Sequence, residues 1–463
     1  MKPEHMQDEH PPTDQRRKLP LKIASYTGFA VGAILLVCGL AFLLFPDFFV
    51  NRYIKPRITA AFLEAYPAYS LRIADMKYSV PGNSFRFDSV ALSAADTTFT
   101  STMASLSVGG ISWVHLLWGG SLAPHDFDNA VFDAQGIEMR FLQSRYELRC
   151  GQLRASVADS EVVANALELR PGVDDEDFFV VSKFRKTRFN STTQQCRLTG
   201  VDFVAALNGK NYQARSMQVR DLCLDILINK DKPAVRDSST PTMPGESLSS
   251  MNERIHCNSL EIINGSLKYG ERFVLGSKPA VITFDSVEVL AEGIANHTDR
   301  DTALIIHAKA NFMKAATMTL LMSFPVPSPE FSFQYSGSLS RMELSALNLF
   351  LEKAEQKRIK SGFLHAATFE INVASGRANG NVRAVYKNLT LAAINKTTGS
   401  ETGFVDGLVS YIANTYTIRG TNAPGKSGLV QLGEVKYLRQ RDDAFFGFVW
   451  FALRSGLADV VGF

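Results

Sequence analysis

The chain has 463 residues, of which 46% are hydrophobic and 21% are charged, and its formal net charge is +3. This length and apolar content allow two domains or one elongated domain. Because the charge is nearly balanced and no run of five basic residues occurs, the composition excludes nucleic acid as an expected partner.

An uncharged apolar run, residues 23–45, lies near the start of the chain. It is long enough to span a bilayer as a helix, which needs about 20 residues. Basic residues are more frequent before the run than directly after it, which favours a cytoplasmic tail over 1–22 and an exported body. The predicted membrane anchor includes Ile23, Leu35, Leu36 and Phe45.

A cleaved signal peptide is the rival interpretation of this run. The apolar core of a signal peptide has about 7–15 residues and is followed by a small-x-small cleavage site. Here the run is longer, and its small-x-small site, Gly39–Ala41, lies inside the apolar stretch. The sequence therefore favours a retained anchor.

Most of the body is predicted to be β-strand, because apolar and polar residues alternate with period two in many short segments. We expect two β-rich halves, 46–229 and 251–440, joined by a flexible linker or loop over the Pro/Ser/Thr-rich segment 230–250. The tetrapeptide Phe-Asp-Ser-Val occurs at 87–90 and again at 284–287, which indicates similar strand units in the two halves.

The alternation also predicts which side chains share one apolar face of the sheet. That face either lines an open groove or forms the closed core of a β-sandwich, since both produce the same pattern. The candidate lining residues are Phe85, Phe87, Leu304, Ile306, Phe331, Phe333, Phe369, Ile371 and Val373.

Few helices are predicted after the anchor, and the last of them is amphipathic and covers 441–463. Its apolar stripe either caps the core or lies against a membrane or partner surface. The stripe includes the candidate contact residues Phe446, Trp450, Leu453 and Leu457.

No motif in the chain predicts catalysis, a metal site or a cofactor. Residues 420–427 fit the phosphate-binding pattern GxxxxGK[ST], but that loop needs a helix directly after it. The residues that follow read as a strand, so no nucleotide partner is expected. No HxxxH, CxxC, GxSxG or SxxK spacing occurs. We therefore expect a protein that is not an enzyme.

Four cysteines lie in the body of the chain: Cys150, Cys196, Cys223 and Cys257. An even number in an oxidising compartment permits disulfides. Four reduced and buried thiols are an equally good interpretation, and the spacing does not decide between them.

The order of these features resembles the AsmA-like family of bacterial envelope proteins, relatives of TamB. The resemblance rests on four segments: the helix and first strand at 51–79, the strand at 219–233 before the linker, the segment 260–272 after it, and the helix at 341–352 with the strands that follow. It implies an inner-membrane anchor with a cytoplasmic N-terminus, and a periplasmic body built as an elongated, curved, antiparallel-rich β-sheet with an apolar groove.

The resemblance also implies a function. We expect a non-enzymatic protein that binds or conducts phospholipid or another acyl-chain lipid between inner and outer membranes and supports outer-membrane assembly or maintenance. The alternative is a membrane-anchored periplasmic scaffold that assists outer-membrane protein assembly, with an outer-membrane or periplasmic protein as its partner.

Overall fold

A computed structural model describes residues 40, 44–96, 98–112, 124–207, 209, 211–234, 243–297, 302–326, 331–394, 418–425, 428–441 and 443–462. The protein is mainly β, with few short helices and a longer helix at the C-terminal end, as predicted. Eighteen strands belong to one mixed sheet.

The strands are β1 Tyr69–Ser79, β2 Ser84–Ala94, β3 Phe99–Gly109, β4 Val131–Phe141, β5 Tyr146–Ser156, β6 Glu161–Pro171, β7 Thr187–Thr199, β8 Asn211–Arg220, β9 Cys223–Asn229, β10 Arg254–Arg272, β11 Ala280–Ala295, β12 Thr302–Phe312, β13 Ala316–Val326, β14 Phe333–Leu339, β15 Met342–Glu343, β16 Lys357–Ala374, β17 Arg377–Ala393 and β18 Leu432–Leu438.

The helices are α1 Pro46–Phe49, a π-helical turn Val50–Ile54, α2 Lys55–Ala65, α3 Asp175–Val180, α4 Phe203–Leu207, α5 Pro244–Ser249, α6 Asn348–Ala354 and α7 Phe445–Val461, with 3-10 turns at Pro124–Phe127 and Leu344–Leu347. We call α1, the π-helical turn and α2 together the N-terminal helical segment.

The hydrogen-bonded order follows the chain closely. Strands β1 to β7 pair in sequence, β8 and β9 both pair with β7 and with β10, and β10 to β14 continue to β16, β17 and β18. Strand β10 runs parallel to β8 and β9, and the other pairings are antiparallel. Parallel strands start at the same end, so the chain must cross from the end of β9 back to the level at which β8 starts before β10 can begin. The predicted linker lies in this connection.

Part of the predicted linker is ordered against the body. Residues 235–242 lie outside the described residues, but α5 follows them directly. Met243 is buried in the largest apolar cluster, and Glu246 forms an ion pair with Arg439 at 3.1 Å. This segment therefore ties the first half of the chain to its C-terminal end.

A row of unpaired residues crosses the first strands. Each of β1 to β6 has 11 residues, and the sixth residue of each is skipped in the register with its neighbours. On alternate strands this residue has a positive φ, as at Ser89, Gly136 and Ala166. Because one residue is skipped on both strands of each pair, the register is the same before and after the row, which we call the central line.

The first copy of the repeated tetrapeptide lies on the central line. Ser89 on β2 and Ser286 on β11 have φ values of 51° and 50°. The two copies of Phe-Asp-Ser-Val therefore place a serine with the same backbone conformation in the two halves of the chain. They differ in the pairing, because the register is unchanged at Ser89 and shifts by one residue at Ser286.

Helical side chains occupy the outer edges of the sheet. In the described part of the chain, β1 pairs only with β2 and β18 only with β17. The side-chain amide of Asn51 makes the two hydrogen bonds that a neighbouring strand would make. It accepts from the Met76 N–H at 3.0 Å and donates to the Met76 carbonyl at 2.7 Å. At β18, Asp459 accepts from the Glu434 N–H at 2.7 Å. Such contacts block edge pairing with other chains.

Asn51→Ala is expected to open the β1 edge. Leaving two backbone groups of Met76 without their partners should cost about 1–3 kcal/mol of stability and speed hydrogen exchange of the Met76 amide in the full-length protein in mild detergent. Arg52→Ala, at an exposed neighbouring position, is the control. Unchanged exchange at Met76 would show that Asn51 does not protect this edge.

Candidate functional site: the apolar face of the sheet

Two rows of apolar residues run from β1 to β16 on one face of the sheet. Residues in register on neighbouring strands share a face, and each member of a row is the register partner of the next. The first row is Met76, Phe87, Leu106, Ala134, Leu153, Ala164, Cys196, Val219, Ile262, Val289, Ala308, Leu320, Gly337 and Phe369. The second row is Tyr78, Phe85, Val108, Phe132, Ala155, Val162, Leu198, Met217, Leu260, Ala291, Ile306, Met322, Tyr335 and Ile371.

Over β1 to β7 the opposite face is charged and polar. Lys77 and Asp88 form an ion pair at 3.0 Å across β1 and β2, and Arg140 and Glu147 form one at 3.3 Å across β4 and β5. Arg197 and Glu161 also pair across β6 and β7. Over β11 to β13 the opposite face also carries exposed apolar side chains, namely Leu290, Ile305 and Leu321. From β1 to β7 the sheet therefore has a single side on which an apolar ligand or a second layer can bind.

Apolar residues on both sides of the central line belong to one cluster. Ile137 and Cys150 lie on one side of the line, Val219 and Ile262 lie on the other, and all four belong to the same cluster. Further along the sheet, Ile262 and the next three members of the first row contribute to a depression of about 760 Å³ that is also lined by Leu290, His307 and Leu321 of the opposite face.

Helices cover the two ends of this face. At the β1 end, Val50 of the N-terminal helical segment is buried against Met76 and Phe85. At the β18 end, α7 packs on β14, β16, β17 and β18, and its Phe448 and Ala452 are fully buried there.

The middle of the face is covered differently. The apolar clusters over β2 to β10 consist of residues from neighbouring strands and the connections between them, within the ranges that the structure describes. The short helix α3 is one of these connections, and its fully buried Phe178 and Phe179 pack with Tyr146 of β5 and Leu227 of β9. Leu153, in the middle of the first row, is 37% exposed. We call the part of the two rows on β2 to β12 the open segment.

The open segment has a size that can be compared with a lipid. Its ten strand positions span about 45 Å at the usual strand spacing. The hydrocarbon core of a bilayer is about 30 Å thick and holds two layers of chains. The open segment is therefore about three acyl chains long.

All nine candidate lining residues lie on this apolar face, but in different surroundings. Phe87 and Leu304 are partly exposed, and Phe85 is buried beneath the N-terminal helical segment. Ile306 is partly exposed and packs against the margin of the cluster under α7. The other five pack in the cluster under α7: Phe331, Phe333, Phe369, Ile371 and Val373. The predicted set thus divides between the two covered ends and the open segment.

The predicted contact residues of the last helix also differ in environment. Leu453 and Leu457 pack against the core cluster, Trp450 is half-buried, and Phe446 is 59% exposed. The buried stripe of α7 is centred on Phe448, Ala452 and Gly456 instead. Small residues at this stripe let the helix approach β18 closely, which rotates the helix relative to the predicted stripe.

The cysteines are free thiols. Cys150 and Cys196 are buried, Cys257 is partly buried and Cys223 is exposed. Burial raises the pKa of the Cys150 and Cys196 thiols, which reduces the fraction of reactive thiolate. Cys150 and Cys196 therefore act as small apolar members of the sheet face.

The phosphate-loop pattern is built into the sheet. Asn422 forms an isolated bridge with Tyr386 of β17, and its side chain accepts from the Gln431 N–H at 2.9 Å. Strand β18, not a helix, follows the pattern. Within the described ranges, no three His, Cys, Asp or Glu side chains come together in a metal-binding group.

The predicted anchor falls mostly outside the described residues. Ile23, Leu35 and Leu36 lie there, and Phe45, directly before α1, is 65% exposed. Of the helices in the described part of the chain, none has both the length and the apolar character needed to cross a bilayer.

Sequence reasoning missed the members of the rows on β3 to β8. In β3 to β6 the alternation changes phase at the central line, so that Phe132 and Ala134 are followed by Ile137 and Met139 on the same face. A search for this phase change in the middle of 11-residue strands would have found the row members on these four strands.

Compared with known proteins, this chain matches no protein-family model and no curated protein sequence.

Proposed function

We propose that this chain is a non-enzymatic, membrane-anchored envelope protein that binds the acyl chains of lipids on the open segment. The observation that carries the proposal is the continuity of the two apolar rows across a sheet whose middle packs, in its described apolar clusters, with neighbouring strands and their connections and not with α7. The proposed body lies in the periplasm and the proposed anchor, 23–45, lies in the inner membrane.

The energetics of lipid transfer support this function. Each CH₂ group of an acyl chain exposed to water costs about 0.8 kcal/mol, so a lipid between two membranes needs an apolar surface. We infer that the apolar face curves inward into a groove, because residues from both sides of the central line share one cluster. The resemblance of the sequence to the AsmA-like family supports the same proposal.

The direct test is lipid identification by mass spectrometry on the full-length protein purified in mild detergent. An unrelated single-anchor protein purified in the same way is the control. Phospholipid enriched over the control in a defined ratio to protein is the expected result. Lipid at the level of the control would contradict the proposal.

Leu153→Glu is expected to reduce the bound lipid strongly while leaving the protein folded. A carboxylate in the middle of the first row places a charge where an acyl chain would lie, and burying an unpaired charge is costly. Ile305→Glu is a matched control, because Ile305 is also 37% exposed but lies on the opposite face of β12. An equal loss of lipid in both variants would show that the apolar face is not the binding surface.

A scaffold that assists outer-membrane protein assembly is the second candidate. One observation favours it: from β14 to β18 the apolar face is a closed core beneath α7 and not a free surface. If lipid does not copurify, pull-down of envelope proteins with wild-type protein and with Phe446→Glu would test this function, since Phe446 is exposed on that helix.

A further inference from the structure

We infer that α7 is a fixed stopper at one end of the lipid site, so that acyl chains occupy the open segment and do not reach β14 to β18. This inference rests on the proposed function, because it specifies the extent of the same site. In this arrangement α7 closes the groove at its β18 end, so lipid would leave the groove from the open segment.

The apolar rows themselves continue beneath the helix. Leu320 and Met322 on β13 are in register with Gly337 and Tyr335 on β14, which are in register with Phe369 and Ile371 on β16. The sheet surface therefore does not end the site. What ends it is α7, whose Phe448 and Ala452 occupy the position over these rows.

The helix is held too closely to be an exchangeable layer. A Cβ atom on Gly433 of β18 would lie 1.9 Å from the Gly456 carbonyl oxygen, and one on Gly456 would lie 2.6 Å from a methyl group of Val435. Backbone thus meets backbone across this interface. Close packing of this kind leaves no space for an acyl chain between helix and strand.

Polar contacts also attach the helix along its length. The Tyr335 hydroxyl donates to the Val449 carbonyl at 3.2 Å, and Arg454 forms an ion pair with Glu355 at 3.0 Å. Asp459 and Ser455 accept from the Glu434 and Lys436 N–H groups of the edge strand. Lifting the helix would leave these edge groups unpaired, which adds to the cost of losing the apolar contacts.

Site-specific photocrosslinking tests the inference. The photoreactive amino acid benzoylphenylalanine replaces Phe132 in the open segment or Phe369 beneath α7 in the full-length protein, in vesicles that contain labelled phospholipid. We expect a lipid adduct at position 132 and none at position 369. Equal adducts at both positions would overturn the stopper but retain the proposed function, and adducts at neither would overturn both.

Two glycines of the same helix provide a matched pair of variants. Gly456→Val would force α7 away from β18, whereas a Cβ on Gly447 has only Phe451 nearby, at 3.8 Å. We expect Gly456→Val to produce an adduct at position 369 and to raise the number of lipids per protein, and Gly447→Val to change neither. An unchanged lipid number in a folded Gly456→Val protein would overturn the inference.

Discussion

Phe448→Ala is expected to lower the free energy of unfolding by about 3–5 kcal/mol, the usual cost of removing a large buried aromatic side chain. Phe448 has no exposed surface, and its ring lies 5.0 Å from that of Phe331 and 5.7 Å from that of Tyr437. The cavity would open at the centre of the contact between α7 and the sheet. Denaturant unfolding of the full-length protein in mild detergent measures the change.

Phe446→Ala is the control for this experiment. It removes the same side chain two residues earlier on the same helix, where the ring is mostly exposed, so the expected change is within about 0.5 kcal/mol. Equal destabilisation by the two substitutions would mean that α7 does not pack with Phe448 inward. The pair therefore tests the orientation of the helix as well as its contribution to stability.

Gly433→Ala is expected to destabilise the protein by about 3 kcal/mol, at the upper end for an added methyl group in a packed core. The added Cβ would meet the Gly456 carbonyl oxygen at 1.9 Å. A backbone atom cannot turn aside as a flexible side chain can, so β18 and α7 must separate. Faster hydrogen exchange at the Glu434 and Lys436 amides should accompany the loss.

Gly425→Ala tests whether glycine replacement near this end of the chain is harmful in itself. Among the described residues, no atom beyond the chain neighbours of Gly425 lies within 4 Å of a Cβ built there. The substitution should leave the unfolding midpoint nearly unchanged. If Gly433→Ala also left the unfolding midpoint nearly unchanged, this result would contradict the close approach of the helix and the strand.

The sequence predicted the class of fold because alternation is a local property. Phe85 and Phe87 share a face through the geometry of a single strand, and no knowledge of distant residues is needed. The same reasoning found Phe369 and Ile371 on β16. The C-terminal helix was also predicted, because the helical spacing of apolar residues over 446–457 is a local signal.

The parts that sequence reasoning could not supply depend on contacts between distant segments. Phe87 and Phe333 show the same alternation, yet Phe333 lies under α7 and Phe87 does not share that cover. Whether an apolar face is open or closed is decided by what packs on it, and alternation is identical in both cases. Met243 is a second example, since nothing in a Pro/Ser/Thr-rich segment indicates that one methionine enters the core.

The unpaired central residues of the first six strands have a consequence for the length of the protein. The central residues Ala74, Ser89 and Ala104, and again Gly136, Gly151 and Ala166, are spaced at intervals of 15 residues. One interval is one strand and one turn, and two intervals restore both the strand direction and the alternation of positive φ. Inserting two intervals would therefore extend the apolar rows by about 9.6 Å without changing any existing register. The sheet can therefore be lengthened by whole repeat units, which is a simple way to match its length to the distance that it must cover.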